Sequence, residues 1–190
     1  NGRPRLARRL AMSAPCSIWM APQGTPPQLS RILAPIDYST HSAAALSIAS
    51  ALAKEANGKC LALHVYFDES AFRFPEQAEE RKRQQMANLE KFVAQIPGVP
   101  AEEVGKLVEE SVNVAPAILR VAADQGCDLI VMDTRGRTAA AAILLGSETA
   151  ETMNTSRLPV LVIKKQGAHM GLLQAILSPE TWHQSSTHTN

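Results

Sequence analysis

The sequence contains little of what marks several common classes of protein. Aromatic residues make up only 4% of its 190 residues, which argues against a groove lined with stacking rings. The formal net charge is +1, so no overall charge attracts the chain to nucleic acid or to a membrane surface. No apolar run reaches the length of about eighteen residues that a membrane-spanning helix needs. We therefore expect neither nucleic acid nor a membrane as a partner.

Cysteine is also scarce. The three cysteines, Cys16, Cys60 and Cys127, are odd in number and far apart, and no Cys-x-x-Cys pair occurs. This usage does not fit a disulfide framework. It is typical of a reducing compartment, and we expect a cytoplasmic location.

What the sequence does contain is a regular alternation of apolar strands and helices. The predicted strands cover residues 32–36, 60–67, 106–112, 129–132 and 159–164, and the predicted helices cover residues 40–56, 75–96, 115–124 and 147–154. This alternation is typical of a doubly wound α/β fold, a five-stranded parallel sheet with helices on both faces. The third strand alternates apolar and polar residues, which places it near a sheet edge.

The regions around this alternation differ in composition. Residues 23–28 are a linker, because they contain a glycine and two adjacent prolines. The predicted domain covers residues 29–165. Residues 166–190 are a polar tail rich in Ser, Thr and His, which we expect to be loosely ordered.

Two aspartates follow predicted strands where this fold binds ligands. In doubly wound sheets, ligands lie at the carboxyl ends of strands where the strand order reverses. Asp37 follows the first predicted strand, and Asp133 follows the fourth. Asp37 has a structural alternative, since a strand-end aspartate also caps a following helix. His64 lies within a buried strand, so we expect it in the core rather than as a ligand.

The stretch after the fourth strand has the composition of a phosphate-binding loop. Asp128-Leu-Ile-Val-Met-Asp-Thr-Arg-Gly-Arg137 is a short apolar strand followed by a glycine and two arginines, and Gly146-Ser147 begins the next helix. This layout directs backbone N–H groups and a helix N-terminus at one point, which suits an anionic phosphate. The local sequence supports no Ser/His/Asp, Cys/His or metal-ligand arrangement, so we expect a binding protein and not an enzyme.

The order of these features resembles that of the universal stress protein family. The resemblance covers residues 31–165 and is carried by Ile32-Leu-Ala-Pro-Ile-Asp-Tyr-Ser39, Leu63-His-Val65, Asp128-Leu-Ile-Val-Met132 and Leu158-Pro-Val-Leu-Val162. The family's nucleotide motif is Gly-x2-Gly-x9-Gly-Ser/Thr. Gly136, nine intervening residues, Gly146 and Ser147 match this motif, whereas Asp133 replaces its first glycine.

The resemblance implies an adenine-nucleotide alpha hydrolase-like fold with a nucleotide site. On the adenosine side, the implied residues are Pro35, Asp37, Val65 and Met132. On the phosphate side, they are Gly136, Arg137, Gly146 and Ser147 with the next backbone amides, while Arg135 adds positive charge and Asp133 and Glu148 add negative charge.

These two acidic residues oppose a bound phosphate. Asp133 replaces a glycine that would allow close approach of the backbone, and Glu148 lies in the first turn of the next helix, where it satisfies the helix dipole. A carboxylate about 5 Å from a phosphate costs about 3 kcal/mol at an effective dielectric of about 20. That is on the order of a hundredfold in affinity. Two states of the site therefore stay open, ATP bound with Mg²⁺ or no cofactor.

Three functions remain as hypotheses. The leading one is a non-enzymatic stress-response protein whose ATP site is altered at Asp133. The alternative is a nucleotide-free module that acts through dimerisation. A nucleotide hydrolase is the third, and it would have to use Asp37 and Asp133, the acidic pair predicted at adjacent strand ends.

Residues 1–22 resemble the end of another domain of the same kind. Residues 8–22 repeat the plan of residues 150–164, a helix, a short turn with proline and an apolar strand. We expect this segment to be the remnant of a preceding domain of a tandem protein. The arginines among the first ten residues also suit a targeting segment, against which Pro15 and Pro22 argue.

The last predicted strand has an apolar edge, Val160–Ile163, that needs cover. Partners in the family commonly associate through this strand, so the resemblance implies a homodimer or a tandem-domain pair. We expect residues 18–21 or a second subunit to pair with it.

Overall fold

Strands and helices alternate along the chain as the sequence predicts. The computed structural model describes residues 14, 16–24, 28–68, 75–133 and 145–164. Its elements are β1 (Ile18–Met20), β2 (Arg31–Pro35), α1 (Thr40–Glu55), β3 (Lys59–Tyr66), a 3₁₀ turn (Pro75–Gln77), α2 (Ala78–Ala94), β4 (Val104–Glu110), α3 (Val114–Asp124), β5 (Leu129–Asp133), α4 (Ser147–Thr155) and β6 (Val160–Ile163).

The sheet has the order β1-β6-β5-β2-β3-β4. The five strands from β2 to β6 pair in parallel, which confirms the predicted doubly wound α/β fold. The predicted strand count of five is wrong by one, because β1 adds a sixth strand in the antiparallel direction. β4 lies at one edge of the sheet, as its alternating sequence predicts. The order reverses between β2 and β5, so this fold's ligand position lies there.

Both faces of the sheet are covered, so its central strands are apolar almost throughout. On one face, Ile32 and Ala34 pack with residues of α1 and α2, among them Leu46, Leu52, Leu89 and Val93. On the other face, Leu33 and Leu63 pack with residues of α3 and α4, among them Ile118, Val121 and Met153. Successive β2 residues therefore serve opposite cores, as the two-residue period of a strand requires.

Helix α1 begins and ends at residues suited to those places. The Oγ of Ser39 accepts a hydrogen bond from the backbone N of Ser42 at 3.1 Å, which caps the N-terminus. After the helix, Asn57 takes the left-handed conformation with φ of 53°. Gly58 follows because the start of β3 approaches the chain before β2 closely, and the N of Lys59 donates to the O of Ser30 at 2.9 Å.

Strand β1 covers the free edge of β6. Ile18, Trp19 and Met20 pair with Val162, Leu161 and Val160, respectively. Beyond the ladder, the N of Lys164 donates to the Oγ of Ser17 at 3.0 Å and its Nζ donates to the O of Ala14 at 2.6 Å. The expectation that residues 18–21 pair with the last strand is thus confirmed.

Some predictions lie outside the described residues. They concern the helix expected before β1, the polar tail over residues 166–190, and Arg135, Gly136 and Arg137 of the phosphate loop. The linker over residues 23–28 is described only in part. Within the described ranges, no helix is both long and apolar enough to cross a bilayer.

The close approach at Gly58 gives a first prediction. A Cβ at this position would lie 2.0 Å from the backbone O of Leu29, so Gly58→Ala has to displace backbone. We expect it to lower the free energy of unfolding by about 3 kcal/mol, measured by urea denaturation. Gly105→Ala is the matched control, because the tight contact of its Cβ is with the side-chain Cδ2 of Leu61 at 2.5 Å, while the backbone O of Cys60 lies at an ordinary contact distance of 3.7 Å. Equal losses in the free energy of unfolding for the two variants would contradict the assignment of a close backbone approach to Gly58.

Candidate functional site

A cavity of about 410 Å³ opens at the carboxyl ends of β2, β3 and β5. Its far side is formed by the N-termini of α3 and α4. The lining residues are Pro35, Ile36, Asp37, Ser42, Leu63, His64, Val65, Val114, Ile118, Met132, Asp133, Gly146, Ser147, Glu148 and Thr149. The structure therefore brings together all the sequence-predicted site residues that it describes. A cavity of this size is typical of small-molecule sites.

Asp37 lies directly after β2 and is held by the start of α1. Its Oδ1 accepts hydrogen bonds from the N of Ser39 at 3.0 Å and from the Oγ of Ser39 at 2.6 Å. The backbone N of Asp37 contacts the Oγ of Ser42 at 3.4 Å. Ser39, and not Asp37, is the N-cap of α1, so the expectation that Asp37 caps this helix is wrong, and Asp37 instead orients the capping residue. Asp37 also lines the cavity.

His64 fixes the chain between β2 and Asp37. Its Nδ1 lies 2.8 Å from the O of Ile36, and this nitrogen is the donor because a carbonyl only accepts. The imidazole is buried, which confirms the predicted core position, and its centroid lies 4.3 Å from that of the Tyr38 ring. Sequence reasoning missed that His64 also lines the cavity.

Tyr38 completes this cluster in a strained backbone conformation. Its φ of 65° is in the left-handed region, which is uncommon for a residue with a large side chain. The ring also meets Phe92 edge to face, with centroids 5.3 Å apart. Burial raises the pKa of the Tyr38 phenol to about 12. Packing of the ring against His64 and Phe92 holds the strained residue in place.

Asp133 is the last residue of β5 and is only 7% exposed. Its backbone O accepts a hydrogen bond from the Oγ1 of Thr149 at 3.0 Å. This bond joins the end of the strand to the first turn of α4. Because β2 and β5 are neighbours, Asp133 and Asp37 line the same cavity, as their positions after adjacent strands predict.

Glu148 caps a helix other than its own. Its Oε2 accepts a hydrogen bond from the backbone N of Ala115 at 3.0 Å. Asn113, the N-cap residue of α3, makes no side-chain capping bond. Glu148 therefore satisfies a free N–H of α3 while standing in the first turn of α4. The sequence correctly placed Glu148 in the first turn of its own helix, where we expected it to act on the helix dipole. It did not predict the bond from Glu148 to α3.

The N-terminus of α4 is the part of the cavity best suited to an anion. Its N-cap residue, Gly146, has no side chain to cap the helix. Ser147 is exposed, and its Oγ contacts the Oε1 of Glu148 at 3.5 Å. The first backbone N–H groups of a helix have no intrahelical partner, so they are available to a ligand.

The fold and the cavity together define a doubly wound α/β protein with a cavity at its switch point. A sequence model of the universal stress protein family matches residues 29–164. The chain therefore belongs to the universal stress protein family.

Individual relatives agree with this assignment. The "Universal stress protein in QAH/OAS sulfhydrylase 3'region" of Thermus aquaticus is 31% identical over 144 residues, which are 70% of this chain and 97% of the relative. The structure of hypothetical protein MJ0577 has 26% identity and a TM-score of 0.58, covering 74% of this chain and 99% of its own. A universal stress protein in complex with cAMP has 20% identity and a TM-score of 0.58, covering 72% of this chain and 98% of its own. At this level of identity, the similarity supports the fold alone.

The bond from Glu148 to α3 gives a second prediction. Glu148→Ala leaves the N–H of Ala115 without its cap, so we expect a loss of about 1 kcal/mol in the free energy of unfolding. Hydrogen exchange at the amide of Ala115 should become faster. Glu151→Ala is the control on the same helix, because Glu151 is exposed. An unchanged exchange rate at Ala115 would remove Glu148 from its capping role.

Proposed function

We propose that this universal stress protein is a non-enzymatic stress-response protein that binds an adenine nucleotide in the cavity between β2 and β5. The observation that carries this proposal is the convergence of Pro35, Asp37, Val65 and Met132 with Gly146 and Ser147 on one cavity. These residues come from four separate elements and their flanks. Their meeting places an apolar surface and a helix N-terminus on opposite sides of one volume.

The apolar side of the cavity suits a purine base. Val65 and Met132 present aliphatic and thioether surface from neighbouring parts of the sheet, and Pro35 ends β2 beside them. A flat, weakly polar ring gains from removing such surface from water. Asp37, held by Ser39, lies where its carboxylate is able to accept hydrogen bonds from ribose hydroxyls.

The opposite side suits the ligand's phosphate. The amides at the start of α4 are donors, and the macrodipole of the helix favours negative charge at that end. The complex of a universal stress protein of the same fold with cAMP supports nucleotide binding as a function within the family. For ATP, Mg²⁺ would offset part of the negative charge that Asp133 and Glu148 bring to the lining.

A non-enzymatic role is the simpler proposal for these residues. A hydrolase would need a held metal ion and a residue that orients water. Among the described residues, no group of three or more His, Cys, Asp or Glu side chains is placed to hold a metal ion. Of the two aspartates that a hydrolase would use, Asp37 already holds the N-cap residue Ser39.

A second candidate function is a nucleotide-free module that acts by association. The observation that favours it is the apolar edge of β6, which another strand is able to pair with. In this chain, β1 occupies that edge. We propose that β1 is the last strand of a neighbouring domain, as in a tandem pair. We also propose that the protein acts in the cytoplasm.

A cavity-filling variant tests the binding function. Val65→Phe fills the apolar side, and we expect it to weaken adenine-nucleotide binding by at least tenfold in calorimetry with ATP and Mg²⁺. The matched control is Val112→Phe, because Val112 is 61% exposed and does not line the cavity. Circular dichroism and a thermal melt check that both variants fold. Absence of binding to the parent protein at millimolar ATP would reject the proposed function.

A further inference from the structure

Three aromatic rings connect helix α2 to the wall of the cavity. Phe92 of α2 meets the ring of Tyr38 edge to face, with centroids 5.3 Å apart. Tyr38 in turn packs against the imidazole of His64, with centroids 4.3 Å apart. His64 lines the cavity, whereas neither Tyr38 nor Phe92 is among its described lining residues. Helix α2 therefore reaches the cavity wall through the ring of Tyr38.

We propose that Tyr38 and Phe92 are positioning residues for the ligand site, which hold the Asp37 carboxylate at the cavity without touching the ligand. This inference rests on the proposed function, because it concerns the same adenine-nucleotide site. It extends that site from the residues that line the cavity to a side chain of α2 behind them.

The backbone at Tyr38 is the reason that the ring contacts matter. Its φ of 65° lies in the left-handed region, where a residue with a Cβ is strained. Such a conformation persists only where the surrounding structure holds it. Asp37 and Ser39 are the two chain neighbours of Tyr38, so a relaxation of φ towards negative values would turn Asp37 away from Ser39. The contacts with His64 and Phe92 oppose this rotation.

The bonds around Asp37 depend on the same backbone geometry. Its Oδ1 accepts hydrogen bonds from the N of Ser39 at 3.0 Å and from the Oγ of Ser39 at 2.6 Å. Because both bonds span Tyr38, they form only at suitable backbone angles of that residue. On the other side, the Nδ1 of His64 donates to the O of Ile36 at 2.8 Å. His64 thus binds the residue before Asp37 and packs against the residue after it.

The ring of Tyr38 makes these contacts, and its hydroxyl does not contribute. The Oη atom is buried and has no hydrogen-bond partner among the residues that the structure describes. Tyr38→Phe keeps both ring contacts, whereas Tyr38→Ala removes them and leaves the strain of a Cβ in the left-handed region. The two substitutions therefore separate the positioning role of the ring from any role of the hydroxyl.

The test uses ATP and 2′,3′-dideoxy-ATP, each with Mg²⁺, in calorimetry. The two ligands share the base and the phosphates, so the ratio of their affinities, here called the ribose preference, reports only the contacts of the ribose hydroxyls. In the parent protein we expect a ribose preference of about tenfold or more, the usual contribution of a hydrogen bond to a charged group. Tyr38→Ala and Phe92→Ala should each bring it close to one, because Asp37 is then no longer held.

Two controls distinguish positioning from a general loss of stability. Tyr38→Phe should keep the ribose preference of the parent protein. Val93→Ala is the matched control for Phe92→Ala, because Val93 is the next residue of α2, is fully buried and is not one of the three rings. It should lower the free energy of unfolding in urea and leave the ribose preference unchanged. If Phe92→Ala does not fold, Phe92→Leu replaces it, since leucine fills the core without an aromatic edge.

The outcomes separate this inference from the proposed function. A ribose preference that falls in the two ring-removing variants, and in neither control, supports the inference. A preference that stays at the parent value in folded Tyr38→Ala and Phe92→Ala overturns it and leaves the proposed function standing. A preference near one in the parent protein, or an equal fall in Val93→Ala, overturns it as well. If ATP does not bind to the parent protein at millimolar concentration, the proposed function itself fails.

Discussion

The parallel pairing of β2 with β5 is the constraint on which the site depends. The chain leaves β2 towards β3 and β4 on one side and returns to β5 on the other. The helices that follow these two strands, α1 and α4, pack on opposite faces of the sheet. The cavity opens where the two strands end. Asp37 and Asp133 line it because they stand at the ends of the two strands that part there.

The N-termini of the helices around this space carry partial positive charge. Side chains of the protein itself interact with most of these N-termini. Ser39 and Asp37 act at α1, and Glu148 acts at α3. These bonds stabilise the fold, since each satisfies an N–H or orients a residue that does. An N–H group that such a bond satisfies is not available to a ligand, whereas Gly146, the N-cap residue of α4, makes no side-chain capping bond.

The sequence predicted the features that depend on the local pattern of apolar and polar residues. Burial on both faces gives continuous apolar strands, so β2, β3 and β5 were predicted nearly at their true bounds, and residues after strands were placed correctly. Strand β4 was predicted over residues 106–112 but covers Val104–Glu110, because an alternating edge strand has weak end signals. The bond from Glu148 to Ala115 could not be predicted. It joins residues 33 apart on two helices, and only tertiary packing brings them together.

The edge of β6 that β1 covers and the cavity are separate surfaces. Both adjoin the same set of hydrogen-bonded strands. Val162 pairs with Ile18 on one side and with Met132 on the other, so β6 alone lies between them. A second subunit that paired with β6 would need the main-chain groups that β1 uses, so the two arrangements exclude each other. Val162 and Ile163 are at most 1% exposed, and close packing resists displacement of such residues. Close packing therefore holds β6 in place between β1 and β5, so the edge strand lies one strand away from the strand that ends at the cavity.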